Sequence, residues 1–217
     1  MNLKKIKCVI VDFDATLYSN GDWSTENEFF GRFLMENNLL PEYATLEEKI
    51  KYLKNKYPRY HILKLIFAHL HENKIDDSDF RKFNNENICE IRKEDTVFVK
   101  PEIISEISKY YKTYIISDSS VPYIEFYLDY ANINKNDFTE IIDNKYDDEG
   151  YTKIPMMKKV LRDTNLKPDE IIMIGDSEMS DISPAKLVGF QTCLVNTVYD
   201  TEKILQDLIN LKASKKI

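Results

Sequence analysis

Three short apolar runs, each stopping at polar or acidic residues, constrain this chain more than any other feature. Lys7-Cys8-Val9-Ile10-Val11 stops at Asp12, Thr113-Tyr114-Ile115-Ile116 at Ser117 and Asp118, and Ile171-Ile172-Met173-Ile174 at Gly175 and Asp176. Short β-branched runs bounded in this way read as buried strands. A weaker run covers residues 191–195. Apolar residues recur at helical spacing over 121–131 and 156–164, and over 181–188 after a polar start. Strands alternating with helices predict an α/β fold, a parallel sheet with helices on both faces.

Residues 20–95 break this alternation and contain no convincing strand. Phe29, Phe33 and Leu34 fall on one helical face, and Ile62, Leu65, Ile66 and Leu70 on another. Pro41 and Pro58 stand where helices start or stop. The expectation is about four amphipathic helices, a small all-α subdomain over 20–95 inserted into a core made of 1–19 and 96–217. The core resumes at Lys100-Pro101 with a helix over 102–111. A length of 217 residues fits a core with such an insert, and a hydrophobic content of 43% supports a buried interior.

In a parallel α/β sheet, ligands bind outside the carboxyl ends of the strands. Asp12, Asp14, Ser117, Asp118 and Asp176 would converge there from distant parts of the chain. Gathering acids in one place is costly unless a cation offsets them. Mg²⁺, a hard cation that takes carboxylates, backbone carbonyls and waters, suits such a set. Only five glycines occur, too scattered for a P-loop or a dinucleotide fingerprint, so a phosphate site must be built another way.

The residues at these strand ends carry a family resemblance. Asp12-Phe13-Asp14-Ala15-Thr16-Leu17 resembles the first motif of the haloacid dehalogenase (HAD)-like hydrolase superfamily, in its phosphatase branch. Ser117 resembles the second motif, Lys153 in Gly150-Tyr151-Thr152-Lys153-Ile154-Pro155 the third, and the segment from Gly175-Asp176 to Ser180-Asp181 the fourth. The family usually has Pro directly after the lysine; here Ile154 intervenes. The helical insert between the first two motifs matches the family's cap position. The resemblance implies a Rossmann-like three-layer core with a parallel sheet, plus a small all-α cap subdomain.

It also implies the chemistry: Mg²⁺-dependent hydrolysis of a small phosphomonoester, a sugar phosphate or nucleotide, through an aspartyl-phosphate. Asp12 would be the nucleophile and Asp14 the general acid and base, with a raised pKa. A continuing strand would put both side chains on one face at i, i+2; the expectation is instead that the chain turns after Asp12 and the two aim at one phosphate from different angles. Ser117, with the Asp118 amide, would donate to phosphate oxygens, and Lys153 would balance charge. Asp12, the Asp14 carbonyl and Asp176 would hold Mg²⁺, with Asp181 supporting that shell directly or through the turn before it.

Other readings of the same residues stand beside this one. A phosphotransferase or phosphomutase on the same fold would pass the phosphoryl group to a sugar, and a non-catalytic metal- or partner-binding protein would keep the fold alone. A dehalogenase has no leaving alkoxide to protonate, and Asp14 argues against it. Ser117-Asp118 could cap a helix starting near Pro122, and Lys145, Lys158 and Lys159 compete with Lys153. His61, His69 and His71 lie in the insert; the last two do not face each other on a helix, and surface or interface positions are expected. Trp23 and Tyr18 would line the pocket entrance or pack beneath the insert, residues 143–149 form an acidic loop, and 212–217 a solvated basic tail. A net charge of −7 offers no footprint for a nucleic-acid backbone. Cys8, Cys89 and Cys193 form no Cys-x-x-Cys, which fits reduced thiols in a cytoplasmic protein. No run suits a secretory signal or a membrane span.

Overall fold

The computed structural model describes residues 2–19, 24–58, 62–86, 96–143 and 152–214. The chain forms two compact units, Met1–Ser19 with Asp95–Ile217, and Asn20–Glu94.

The first unit is built on a five-stranded parallel sheet. Its strands are β1 (Cys8–Val11), β4 (Lys112–Ser117), β5 (Glu140–Asp143), β6 (Ile171–Gly175) and β7 (Gln191–Leu194), in the order β5-β4-β1-β6-β7. Helices α5 (Pro101–Ser108), α6 (Val121–Tyr130), α7 (Ile154–Thr164), α8 (Ser183–Val188) and α9 (Val198–Ala213) connect and follow them. A short antiparallel pair, β2 (Tyr18–Ser19) with β3 (Val97–Phe98), stands apart from this sheet. The parallel α/β fold expected from the alternating runs is what forms.

All residues of β1 and β6 are buried, as a sheet covered on both faces requires. On one face Cys8, Ile10, Ile171 and Met173 pack with Met157 and Val160 of α7. Residues alternate sides along a strand, so Val9, Val11, Ile172 and Ile174 project to the other. β1 lies between β4 and β6, and the chain runs outward from it first to β5 and later to β7. This strand-order reversal is where an α/β sheet opens a ligand crevice.

Four elements of this unit lie outside the sequence expectation. β5, Glu-Ile-Ile-Asp, is an edge strand with only two apolar residues in a charged frame. The β2–β3 pair is too short to show periodicity. α9 begins with a capping box, Thr197 accepting the Asp200 amide while the Asp200 carboxylate accepts from the Thr197 amide. Lys212, expected in a frayed tail, lies in α9 with its ammonium 5.0 Å from the Tyr111 ring centre. Cys8 and Cys193 are free thiols; Cys89, Trp23, His61, Lys145 and the acidic stretch 144–149 lie outside the described residues.

The second unit contains α1 (Ser24–Glu36), α2 (Leu46–Lys56), α3 (Ile62–Glu72) and α4 (Ser78–Glu86). Phe80 of α4 is its hub, packing against Phe30 and Phe33 of α1 and Phe67 of α3. α3 is buried continuously from Ile62 to Leu70. A mainly apolar helix buried on every side is an interior helix, so His69 is buried rather than on the surface, its ring near the Asn73 amide. His71 is partly exposed and pairs with Asp77 at 2.8 Å. None of the described helices is long and apolar enough to cross a membrane.

α8 ends at Gly189, whose φ of 91° lies in the left-handed region and whose absent Cβ would stand 3.2 Å from Pro168 Cβ. An L side chain is strained there. Gly189→Ala is expected to lower stability by about 1 kcal/mol in chemical denaturation; an unchanged or higher stability would contradict this reading.

Candidate active site

β1, β4 and β6 run in register, Val11 standing opposite Ile115 and Ile174. Asp12 therefore leaves the sheet beside Ser117, the last residue of β4, and Asp176, the first after β6. The Asp12 amide still donates to the Ile174 carbonyl at 2.9 Å, and then the chain turns. Phe13 pins that turn. Its ring is buried against Tyr18 and Tyr123, with centroids 4.9 and 6.1 Å away. Its carbonyl accepts the amides of Thr16, Leu17 and Tyr18. Ala15 takes a left-handed φ of 55°, costly for a residue with a Cβ. Asp12 and Asp14 are thus carried by a turn rather than by one strand face.

Lys153, the N-cap of α7, is 1% exposed. Its ammonium lies 2.7 Å from Asp12 Oδ1 and 2.6 Å from Asp181 Oδ1. Pro155 falls at the second helical position, where a missing amide proton costs little, so the inserted Ile154 leaves the lysine at the helix start. Asp181 is fully buried in the turn 178–182 and accepts the Ser177 amide on its other oxygen at 3.0 Å. This carboxylate rests directly on Gly175: a Cβ there would stand 2.5 Å from Asp181 Cγ. Of the competing lysines, Lys158 is exposed, while Lys159 pairs with Glu140 and Asp163.

Asp14 has different neighbours. Its Oδ2 accepts the Ser119 hydroxyl at 2.6 Å and the Ser117 hydroxyl at 3.3 Å. Its Oδ1 is buried and has no hydrogen-bond partner among the described residues. The Ser119 amide donates to Ser117 Oγ at 3.0 Å. Asp118 is half-buried, and its charge acts on both Asp14 and Lys153. Ser119 was not anticipated. Its only signal in the sequence is a hydroxyl two residues beyond the strand end, which a helix-initiating serine gives equally well.

Asp12, Asp14 and Asp176 favour protonation more than an ordinary aspartate does. Burial, then the Asp181 charge, raises Asp12 well above the ordinary carboxylate range, against the opposing pull of Lys153. Burial pushes Asp14 up to about 6, although the hydrogen bond from Ser119 works the other way. Asp176 is raised by burial and by Asp181. Burial opposes the charge on Lys153, but Asp12 and Asp181 overcome it and hold the ammonium well above its usual range. The acids outnumber the one buried ammonium. One ligand oxygen from each of Asp12, Asp176 and Asp181 lies within 4.8 Å of the others, an all-oxygen donor set that fits a hard divalent cation.

A family model described as haloacid dehalogenase-like hydrolase matches residues 6–189. The chain belongs to the HAD-like hydrolases. Solved structures agree on the fold. A HAD phosphatase from Thermococcus onnurineus is 15% identical, with a TM-score of 0.58 over 92% of this chain and 98% of its own. The putative HAD-hydrolase YfnB from Bacillus subtilis, bound to magnesium, is 17% identical, with a TM-score of 0.57 over 93% and 99%. CbbY from Rhodobacter sphaeroides, in complex with phosphate, is 16% identical, with a TM-score of 0.61 over 88% of both chains. No curated protein matches in sequence.

In this HAD-like core, Asp12, Lys153, Asp176 and Asp181 gather around one point, while Asp14, Ser117 and Ser119 form an adjoining hydrogen-bonded group. Lys153→Ala would leave two buried carboxylates without their cation. Without added divalent metal, it is expected to lose about 3–5 kcal/mol near neutral pH. The loss should shrink as pH falls, because Asp12, already raised by burial and Asp181, then takes up a proton. Denaturation at several pH values checks this; a loss independent of pH would point to packing alone.

Proposed function

We propose that this chain is a phosphatase that hydrolyses phosphomonoesters of small metabolites, such as a sugar phosphate or a nucleotide, through a phosphoryl group carried on Asp12. One observation carries the reading: two carboxyls two residues apart have different partners. Burial raises both carboxyls, but Asp12 is paired with a buried ammonium at 2.7 Å, whereas Asp14 is held by hydroxyls and is pushed up to about 6. The contacting ammonium suits Asp12 to act as an anion once charged, and the hydroxyl partners suit Asp14 to carry a proton.

An Asp12 carboxylate oxygen attacks phosphorus, and the bond from phosphorus to the ester oxygen breaks. Protonated Asp14 gives its proton to the departing alkoxide. The Asp14 carboxylate then takes a proton from water as the water oxygen attacks phosphorus, the bond to Asp12 breaks, and inorganic phosphate leaves. Ser117 and the Asp118 amide donate to phosphate oxygens. Lys153 neutralises part of the charge where nucleophile and phosphate meet. Asp12, Asp176 and the Asp14 backbone carbonyl would hold Mg²⁺, supported by Asp181, and the ion would offset charge on the phosphoryl oxygens. YfnB bound to magnesium and CbbY in complex with phosphate support this reading. The helical unit, placed in the chain between the first two motifs, is assigned the choice of a small substrate.

Assays on a panel of phosphomonoesters test the reading. Activity is expected with Mg²⁺ and not in excess EDTA, and Asp12→Asn should lower kcat by at least about a thousandfold. Full activity in either case would refute it. For an alkyl phosphate, kcat/KM should decline as pH rises above about 6, once the substrate's own ionisation is allowed for, because only protonated Asp14 can donate. Asp14→Asn should lack that decline; its persistence would assign the ionisation elsewhere.

A further inference from the structure

We propose that Ser119 is a positioning residue, holding the Asp14 carboxyl through Oδ2 so that Oδ1 faces the reaction and Ser117 keeps its proton for phosphate. The proposal rests on the phosphatase reading above. A serine hydroxyl has one proton to give. Two such hydroxyls approach the same oxygen of Asp14, but unequally: Ser119 Oγ at 2.6 Å and Ser117 Oγ at 3.3 Å. The shorter contact makes Ser119 the donor that Asp14 relies on. Ser117 Oγ is meanwhile fixed through a lone pair by the Ser119 amide at 3.0 Å, which leaves its own proton available. Ser119 thus serves Asp14 with its side chain and Ser117 with its backbone.

The division also selects an oxygen. Asp14 Oδ2 is occupied and Oδ1 has no hydrogen-bond partner among the described residues. A buried carboxyl oxygen left unpaired is costly unless function uses it. Oδ1 is therefore the atom that carries the proton to the alkoxide and later receives one from water. A helix-capping role does not account for the Ser119 hydroxyl, because it is directed at Asp14, 105 residues away in the chain.

The test compares two substrates by kcat/KM, which reports only the steps up to ester cleavage. An alkyl phosphate needs protonation of its leaving group, and p-nitrophenyl phosphate needs little. In Ser119→Ala, kcat/KM for the alkyl phosphate should fall on the order of tenfold or more, and far more than for p-nitrophenyl phosphate. Ser119→Thr, which restores the hydroxyl, should recover most of the loss. In an Asp14→Asn background, adding Ser119→Ala should cost little further, because the two residues act as a unit. Equal losses on both substrates, or full additivity with Asp14→Asn, would overturn the proposal and leave the phosphatase reading standing. An Asp14→Asn enzyme as fast as wild type on the alkyl phosphate would overturn both.

Discussion

Lys153 brings an ammonium, 1% exposed, between two buried carboxylates, Asp12 at 2.7 Å and Asp181 at 2.6 Å. A charge so deeply removed from water survives only with partners this close. Each neighbour is in turn fixed by something simpler. Asp181 lies on Gly175, where no side chain intervenes, and is anchored by the Ser177 amide. Asp12 is held at the end of β1 by its amide bond to Ile174. Lys153 itself opens α7, whose Met157 and Val160 pack on the sheet. The sheet, a glycine and one helix start thus set the positions of three charges, and the ammonium between the two carboxylates makes both tolerable.

Asp14 shows how two acids so close in sequence come to differ. The turn between them is pinned by Phe13, whose ring is buried among Tyr18, Tyr123 and Tyr127 and whose carbonyl collects three amides. The turn takes Asp14 away from the ammonium that Asp12 keeps and towards the hydroxyls following β4. Burial prevails at both acids, over the ammonium at Asp12 and over the hydroxyls at Asp14, which is pushed up to about 6. An apolar side chain between two acids is therefore what gives one an ammonium partner and the other hydroxyl partners.

Much of this was legible in the sequence because it lies at strand ends, where a run of buried residues stops at a fixed place. Asp12, Asp176 and Ser117 follow from that rule alone, and the motif order adds Lys153 and Asp181. Ser119 and the anchoring by Phe13 were not legible, since both depend on the path of a loop that periodicity does not describe. β5 has too few apolar residues to stand out from its charged neighbours. α9 is a different kind of miss, for the Thr197 and Asp200 capping pair was present to be read. The same holds for α3: apart from Lys64 and His69, residues 62–70 are apolar, which marks an interior helix and hence a buried His69.

The central claim is that the carboxylate held by Lys153 bonds covalently to phosphorus, and trapping that bond tests it most directly. The enzyme would be mixed rapidly with a phosphomonoester and Mg²⁺, quenched in acid, and treated with borohydride, which reduces an acyl phosphate to the alcohol. Peptide mass spectrometry should then find homoserine at position 12 and at no other aspartate, only when substrate was present. Turnover without any reduced aspartate, or with the reduction at Asp14 or Asp176, would contradict the account.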